Sequence, residues 1–398
     1  MLRFRSYGLK LFCLGIIVVA TINIASLRFE YNTDYLQLPL KAYINLAQKF
    51  PLVDGKNSTM GRDSTTTANS TYKSAVDPDL LYEAAANSTL GFQSIQYINL
   101  PTGHDREDAI RMQSYASGLK TTHFDAVGTE LISPDGRGLP PSSGGKPLMD
   151  GEKACLRSHA ELWNKMIEEN IQTMLILEAD ASWDKNIRQI HKRIAKGYHH
   201  LYKSHNPNST FHPSHDDPYN MQSWEIFSFG TCHDSKKNME QHVLIHDPDA
   251  PVGQKWFGNP LYDQRVVRKA GYLTCTTGYA VTLQAAKKLV LRTSLDMNRP
   301  VDLLMGDMIS DGEIQGVAVF PPTIAQWAYV EGIGADNLGS VIQNKSSGNM
   351  DKAKEIWSQI KKTKLIWGYK KSFRHAAFRN SAFKAFKEMA FGEQEPGK

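Results

Sequence analysis

The run MLIL at 174–177 is continuously apolar and ends abruptly in two acidic residues, Glu178 and Asp180. A short apolar run without polar alternation predicts a strand buried on both faces, as in an α/β domain. Ligands of open α/β sheets bind outside the carboxyl ends of the strands. Carboxylates placed there can hold a hard divalent cation, and the cation can in turn hold substrate phosphates. This layout is typical of a nucleotide-sugar transferase, although a single Glu-x-Asp pattern more often just closes a strand.

The segment before this strand is predicted to be a helix. Asp150 can cap a helix that runs to about Asn170, a residue type that suits a helix C-terminus. One face of the helix is apolar, and its residues recur at helical spacing: Cys155, His159, Leu162, Trp163, Met166 and Ile167. The predicted order is therefore helix, tight turn, buried strand and acidic strand end.

A further strand and helix are predicted earlier in the chain. Residues 94–100 alternate and end at Pro101, and the helix expected after them stops at Gly118. A strand-to-helix turn offers backbone amides to a phosphate or a base. Asn99 at the strand end and Arg106 near the helix start are therefore candidate nucleotide contacts. The alternatives, a turn residue and a solvated helix charge, remain open from the residues alone.

Four blocks of the chain match the pattern of one family in order. They are IQYINLPTGHDREDAIRMQ at 95–113, GEKACLRSHAELWNKMIEENIQTMLILEADA at 151–181, CTTGYAVTLQAAKKLV at 275–290 and RPVDLLMGDMI at 299–309. Together they resemble glycosyltransferase family 25, which includes lipooligosaccharide and procollagen galactosyltransferases. The resemblance covers roughly 92–330, with a divergent insert at 185–223. Family members often read Glu-Asp-Asp where this chain has Ala179 between its two acidic residues.

The resemblance implies a Rossmann-like, GT-A type catalytic domain at 92–330 and an inverting transfer of a hexose. Galactose is the favoured sugar, the donor is a UDP-sugar, and the acceptor is a glycan or a protein hydroxyl. Mn²⁺ or Mg²⁺ is expected at Asp180, with Glu178 as a second ligand. A donor-side role is implied for His159, beside Arg106 and Asn99. Tyr279 could also face the donor, since the segment around it is interpreted as a strand that leads into a helix.

Asp302 is the candidate general base, because the resemblance carries an acidic residue at that position after a Pro-Val pair. Asp302 could instead cap a short helix, and Asp307 matches no position of the family. For His159 and Tyr279 the alternative is ordinary core packing. The alternative function is a non-catalytic lumenal glycan-binding or adaptor protein on the same fold, which Ala179 keeps open.

The N-terminus carries a membrane signal. Basic residues precede an uncharged run at 11–27, which is near the lower length limit for a spanning helix. The charge distribution predicts a cytoplasmic tail at 1–10, a type II anchor at 11–27 and a lumenal body in the Golgi or endoplasmic reticulum. A cleaved signal peptide is the alternative.

Residues 28–91 are predicted to be a stem, since the part from 54 onward is rich in Ser, Thr and Asn and lacks periodicity. Acceptor sequences for lumenal N-glycosylation occur at Asn57, Asn69, Asn87, Asn208 and Asn344.

The net charge of +5 is unevenly distributed, since 351–390 contain eleven basic and three acidic residues. No zinc-finger, helix-turn-helix or RNA-binding signature accompanies this segment, so no nucleic-acid partner is expected. Residues 331–398 are predicted to form a basic helical extension. The alternative is that this extension binds the surface of an anionic membrane. Four aromatic residues are available to pack on the catalytic domain: Phe373, Phe378, Phe383 and Phe386.

Of the four cysteines, Cys13 lies in the predicted anchor and Cys155 on the buried helix face. Cys232 and Cys275 are left as the candidate disulfide of an oxidising lumen. No two cysteines have the spacing of a zinc site, so zinc is not expected.

Two further segments are interpreted as surface loops. The His-rich insert at 199–220 predicts a flexible glycosylated loop in preference to a metal site. Trp256, in a Pro/Gly-rich loop, could line an acceptor groove or simply cover the loop.

Overall fold

The computed structural model describes residues 80–144, 146–330, 353–369 and 378–392. They all belong to one compact unit, Lys73–Lys398, whereas the other unit, Met1–Tyr72, lies outside the described residues together with the predicted tail and anchor. The acceptor sequences at Asn57, Asn69 and Asn344 and the aromatic residue Phe373 also lie outside them. Within the described ranges, no helix is both long and apolar enough to cross a bilayer.

Fifteen strands and seven α-helices make up the described fold. The strands are β1 (Ser94–Asn99), β2 (Thr122–Asp125), β3 (Thr173–Glu178), β4 (Ala181–Trp183), β5 (Ile226–Ser228), β6 (His233–Asp234), β7 (His242–His246), β8 (Lys255–Trp256), β9 (Asn259–Pro260), β10 (Gln264–Lys269), β11 (Leu273–Thr274), β12 (Gly278–Thr282), β13 (Gly316–Phe320), β14 (Ile324–Tyr329) and β15 (Trp367–Tyr369). The helices are α1 (His104–Ser117), α2 (Asp150–Glu168), α3 (Ile187–His205), α4 (Leu283–Leu295), α5 (Val301–Ser310), α6 (Ala353–Thr363) and α7 (Ala382–Phe391), with short 3-10 helices at Leu80–Ala86 and Thr129–Leu131.

The central sheet has eight strands in the order β2-β1-β3-β12-β5-β13-β10-β7. β1 pairs in parallel with both β2 and β3, which gives the first three strands a Rossmann-like arrangement. β12 runs antiparallel between β3 and β5, so the complete sheet is mixed. The short strand β4, which follows β3 directly, leaves this sheet and pairs with β14.

The strand β3 is buried on both faces, as the apolar run predicts. Met174 and Ile176 belong to the core formed with α2, α4 and α5. Leu175 and Leu177 belong to the opposite core, formed with α3 and the 3-10 helix at Leu80–Ala86. Helices therefore cover the sheet on both sides, and the chain is an α/β protein with a large central sheet.

Helix α2 begins at Asp150, but this residue does not cap it. Met149 is the N-cap residue, and its backbone N–H donates to Glu152 Oε2 at 2.8 Å. Asp150 is thus the first helical residue, because the side chain of Glu152 satisfies the amide that precedes the helix. The predicted helix end is close to the observed one, and Asn170 has a φ of 55° just after it. Gly118 ends α1 with a φ of 68°.

The boundary of the predicted stem is corrected by the structure. Residues 80–91 are folded, and the 3-10 helix at Leu80–Ala86 packs against α3. Tyr82 and Leu90 are buried in the core. The segment lacks the periodicity of an α-helix or a strand because a short 3-10 helix and a turn bury its few apolar side chains instead.

The expected loop at 199–220 is also corrected, because its first residues form the end of α3. Ile187, Ile190 and Ile194 form a buried stripe at helical spacing, a signal that the histidines and prolines further along obscured. Asn208, in the part beyond the helix, is exposed.

Helix α7 and strand β15 of the predicted C-terminal extension pack against the rest of the described fold. Helix α7 contacts α1, and Phe383 is buried with its ring stacked on Trp367 at 4.5 Å. The backbone N–H of Asn380 donates to Asp184 Oδ2 at 2.7 Å. The extension therefore packs, through α7, against the helix that follows β1.

Candidate active site at the carboxyl end of β3

A cleft of about 510 Å³ lies at the carboxyl ends of β1 and β3. Side chains from both strand ends and from the helices α1 and α2 line it, among them Asn99, Arg106, Cys155, His159, Glu178 and Asp180. The cleft therefore brings together five of the seven site residues that the sequence proposes. The other two, Tyr279 and Asp302, lie outside the lining.

Glu178 is fixed at the end of β3 by the loop that precedes β12. Its backbone N–H donates to the carbonyl of Thr277 at 3.1 Å, and the Thr276 hydroxyl donates to Oε1 at 2.6 Å. His159 Nε2 lies 3.9 Å from the same oxygen. Burial by itself would raise the pKa of Glu178, but His159, the Thr276 hydroxyl and the Arg106 guanidinium together lower it. Glu178 is therefore an ionised carboxylate at neutral pH.

Asp180 occupies the turn between β3 and β4. Its side chain accepts a hydrogen bond from Gln326 Nε2 at 3.3 Å and lies 3.8 Å from Arg106 Nη1. Its backbone carbonyl accepts from the N–H of Trp327 at 2.8 Å, which ties the turn to β14. The carboxylate is held beside a positive charge inside the cleft, where Arg106 can also meet an anionic ligand.

His159 projects from α2 and is oriented from behind by Tyr279. The Tyr279 hydroxyl lies 2.9 Å from His159 Nδ1 and accepts a hydrogen bond from Trp163 Nε1 at 3.1 Å. All three side chains are at most 1% exposed. Burial raises the pKa of Tyr279 well above its usual value, so the phenol stays protonated. Tyr279 thus lies in the core behind His159, and it reaches the cleft only through that imidazole.

Asn99 closes the turn between β1 and α1. Its Nδ2 donates to the carbonyl of Gly103 at 2.9 Å, and its side chain is almost fully buried. A Cβ atom on Gly103 would collide with Asn99 Oδ1, so this close approach requires glycine. The turn role that the sequence left open is therefore present, and Asn99 lines the cleft as well.

Asp302 is the second residue of α5, and the N-cap residue is Pro300. Asp302 is therefore not the N-cap that the sequence allowed. Its Oδ2 accepts from the backbone N–H of Cys275 at 3.0 Å, and its Oδ1 accepts from the N–H of Leu303 at 2.9 Å. Asp302 thus supports the loop that carries Thr276. Asp307 faces elsewhere, with Arg299 Nε 2.9 Å from its Oδ2.

Cys232 and Cys275 are joined by a disulfide, with their Cα atoms 5.5 Å apart. The bond ties the loop before β12 to the segment after β5. Since Thr276 follows Cys275 directly, the disulfide lies next to the residue that holds Glu178.

Three residues of the site carry contacts that the sequence did not indicate. Thr276 and Gln326 bond the two carboxylates, and each is far from them along the chain. Cys155 is a free, half-buried thiol that lines the cleft as well as contacting the core. Burial and the nearby Glu178 raise the pKa of this thiol well above its usual value. Its position one helical turn before His159 was the available signal.

Two sets of side chains in the cleft could hold a metal ion. Glu178 and Asp180 offer carboxylate oxygens, the donor type that fits the Mn²⁺ or Mg²⁺ expected from the sequence. Cys155, His159 and Glu178 form a second set, since their ligand atoms all lie within 4.8 Å of one another.

Trp256, the other candidate for substrate contact, packs into a small apolar cluster with Leu261 and Val266. Its ring also lies 5.9 Å from the Arg268 guanidinium carbon. The ring covers a loop and is not part of the cleft lining.

Sequence comparison relates this chain to a family of known proteins. The family model described as "Glycosyltransferase family 25 (LPS biosynthesis protein)" matches residues 92–305. A "Glycosyltransferase 25 family member" of Anopheles gambiae is 26% identical over 222 residues, which cover 54% of this chain and 31% of that protein. "Procollagen galactosyltransferase 2" of Mus musculus is 24% identical over 226 residues, which cover 54% of this chain and 30% of that protein. The chain therefore spans about a third of the length of the curated relatives it matches.

Proposed function

Because the chain belongs to glycosyltransferase family 25, we propose that its cleft transfers a hexose from a UDP-sugar to a hydroxyl group of a glycan or a protein. Galactose is the proposed sugar, since relatives in two mammals bear the name procollagen galactosyltransferase. The observation that carries the proposal is the presence of Glu178 and Asp180 in one cleft at the carboxyl end of β3. This is where an α/β sheet binds its ligand.

The proposed reaction inverts the configuration at the anomeric carbon in one displacement. The acceptor oxygen forms a bond to that carbon while the bond from the carbon to UDP breaks, and the acceptor proton passes to a base. Asp180 and Glu178 would hold Mn²⁺ or Mg²⁺, which when bound supplies a Lewis acid for the leaving diphosphate. Arg106 adds a positive charge beside Asp180 on the same side of the cleft.

Donor hydrolysis tests this function. The purified protein is incubated with a panel of UDP-sugars, with and without Mn²⁺, and free UDP is measured. We expect metal-dependent release of UDP from UDP-galactose above the other donors. Asp135→Asn is the matched control for Asp180→Asn, because Asp135 is an exposed aspartate that does not line the cleft. Turnover of no donor by the folded wild-type protein would contradict the proposal.

We keep Asp302 as the proposed general base, a role that raises the rate of transfer roughly 10²–10⁴-fold. The alternative is a positioning role, which the hydrogen bonds favour. Asp302 accepts from the amide of Cys275, and the neighbouring Thr276 donates to Glu178. In Asp302→Asn, a base role predicts loss of transfer with unchanged metal affinity. A positioning role predicts weaker metal binding as well, because the Glu178 carboxylate moves. Asp307→Asn is the matched control, and loss of transfer there instead would reassign the base.

A non-catalytic glycan-binding protein is the second candidate, and Ala179 is the observation that favours it. Ala179 lines the cleft between the two acidic residues and carries no carboxylate. Retained binding of a UDP-sugar by a wild-type protein that turns over no donor would select this candidate. Ala179→Asp should then restore metal affinity if the missing carboxylate is the cause.

The proposed location is the membrane of the Golgi or endoplasmic reticulum, with a type II anchor at 11–27 and a lumenal catalytic domain. The disulfide between Cys232 and Cys275 supports an oxidising compartment. Protease protection of the domain in intact microsomes, and a mobility shift on removal of N-glycans, would test the orientation. Digestion of the domain in intact microsomes would place it on the cytoplasmic side.

A further inference from the structure

The cleft contains a thiol, an imidazole and a carboxylate in a compact arrangement. Cys155 and His159 are one turn apart on α2, a spacing that places two side chains on the same face of a helix. Glu178, at the end of β3, lies against this face, with its Oε1 3.9 Å from His159 Nε2. The potential ligand atoms of all three residues lie within 4.8 Å of one another. Two regular elements packed in one core hold them.

This donor set differs in kind from the two carboxylates at the strand end. Thiolate and imidazole ligands favour Zn²⁺, whereas carboxylates alone suit Mn²⁺ and Mg²⁺. Three protein ligands beside an open cleft correspond to a zinc site whose fourth position is left to water or substrate. We propose that Cys155, His159 and Glu178 bind Zn²⁺ at the wall of the cleft.

The surroundings of the three residues support ligation. Metal-binding histidines are usually oriented by a partner on the second ring nitrogen, and here His159 Nδ1 lies 2.9 Å from the Tyr279 hydroxyl. Nε2, which faces Glu178, is therefore the nitrogen available to the cation. The Thr276 hydroxyl donates to Glu178 and fixes its orientation. The site thus has ordered ligands with supporting hydrogen bonds before any cation arrives.

The spacing of the cysteines did not reveal this site, because only one of its ligands is a cysteine. The other two come from the next turn of the same helix and from a strand that follows it. The cysteine spacing alone therefore gave no reason to expect zinc, whereas the packing of α2 against β3 brings a thiol, an imidazole and a carboxylate together.

A consequence follows for catalysis, and it rests on the proposed function. Glu178 belongs both to this site and to the proposed Mn²⁺ or Mg²⁺ site. Zn²⁺ bound through Glu178 would draw this carboxylate toward Cys155 and His159, away from a cation at Asp180, so Zn²⁺ should inhibit metal-dependent donor turnover by competition. The inhibition should weaken as the concentration of Mn²⁺ rises.

Binding is tested directly with Co²⁺, a spectroscopic substitute for Zn²⁺. Thiolate coordination produces a near-ultraviolet charge-transfer band, which Zn²⁺ should abolish on addition while Mg²⁺ should not. We expect Cys155→Ser to lose the band. Loss of a group outside the ligand shell already weakens metal affinity about 10–100-fold, so loss of this ligand should weaken Zn²⁺ binding at least as much. Cys13→Ser should keep the band, and so should Asp180→Asn, since neither changes a proposed ligand.

A second measurement covers the case in which Cys155→Ser fails to fold. In the wild-type protein, Zn²⁺ should protect Cys155 from a thiol-alkylating reagent, as read by peptide mapping, whereas Mg²⁺ should not. Absence of the band in the Co²⁺-treated wild type, or a band that persists in folded Cys155→Ser, would overturn the proposal. Loss of donor turnover with an intact band would count against the proposed function alone.

Discussion

Replacement of Tyr279 by Phe removes one buried oxygen on which two other side chains depend. Trp163 Nε1 donates to this hydroxyl at 3.1 Å, and His159 Nδ1 lies 2.9 Å from it. Phe has nearly the same shape, so the substitution leaves packing intact and isolates the polar contribution. An unpaired buried donor costs about 1–3 kcal/mol. We therefore expect Tyr279→Phe to lower the free energy of unfolding by roughly 1–3 kcal/mol through Trp163 alone, and by up to about twice that if His159 also loses its partner.

Urea unfolding of wild type and variant measures this loss, with the slope against denaturant unchanged if only stability is altered. Tyr262→Phe is the matched control, because Tyr262 is 73% exposed and should give a change close to zero. Donor turnover and metal affinity should also fall in Tyr279→Phe, since His159 loses the contact that orients it. A change below about 0.5 kcal/mol together with normal turnover would refute the claim that Tyr279 supports this site.

Three further predictions follow from the same contacts. Asp180→Asn should abolish Mn²⁺-dependent donor turnover while thermal unfolding shows a stability change within about 1 kcal/mol; full activity in that variant would exclude Asp180 as a ligand. Burial raises the pKa of Asp184 from 3.8 to about 6, against the hydrogen bonds from Asn186 and Asn380 that lower it, so folding favours the protonated carboxyl. The protonated carboxyl therefore contributes its full stabilisation below pH 3.8, and this contribution of roughly 3 kcal/mol is lost as pH rises through 6. Unfolding of wild type and Asp184→Ala at a series of pH values should show a free energy of unfolding that depends less on pH in the variant. Reduction of the disulfide between Cys232 and Cys275, whose sequence separation is 43, should cost about 4 kcal/mol in the chain-entropy model; non-reducing peptide mapping that finds both thiols free would contradict the pairing.

The sequence by itself determined the elements whose side chains meet a simple periodic environment. The strand β3 is apolar throughout because each of its faces contacts a core, and α2 repeats its apolar residues at the helical period for the same reason. Local patterns of this kind also located Glu178 and Asp180 at the carboxyl end of β3. The predicted strand-to-helix turn supplied Asn99 and Arg106, and the family resemblance then added His159; all three line the same cleft.

Sequence patterns failed where burial does not follow a regular period. The 3-10 helix at Leu80–Ala86 is too short to show one, so its residues resembled a stem. Trp256 and Tyr279 were ambiguous because an aromatic residue suits a binding groove and a core equally well. Only the neighbouring strands and helices decide between the two, and here they bury both rings.

The detailed contacts of the site were decided by tertiary structure alone. Thr276 reaches Glu178 across a separation of 98 residues, and Gln326 reaches Asp180 across 146. Local periodicity reports which face of an element is buried, but not which distant segment covers it. Asp302 illustrates the point, since its place in the motif suggested a base, and only the fold shows that its carboxylate also accepts from the amide of Cys275. Cys155 became a candidate ligand for the same physical reason, because the packing of α2 against β3 places its thiol beside a carboxylate.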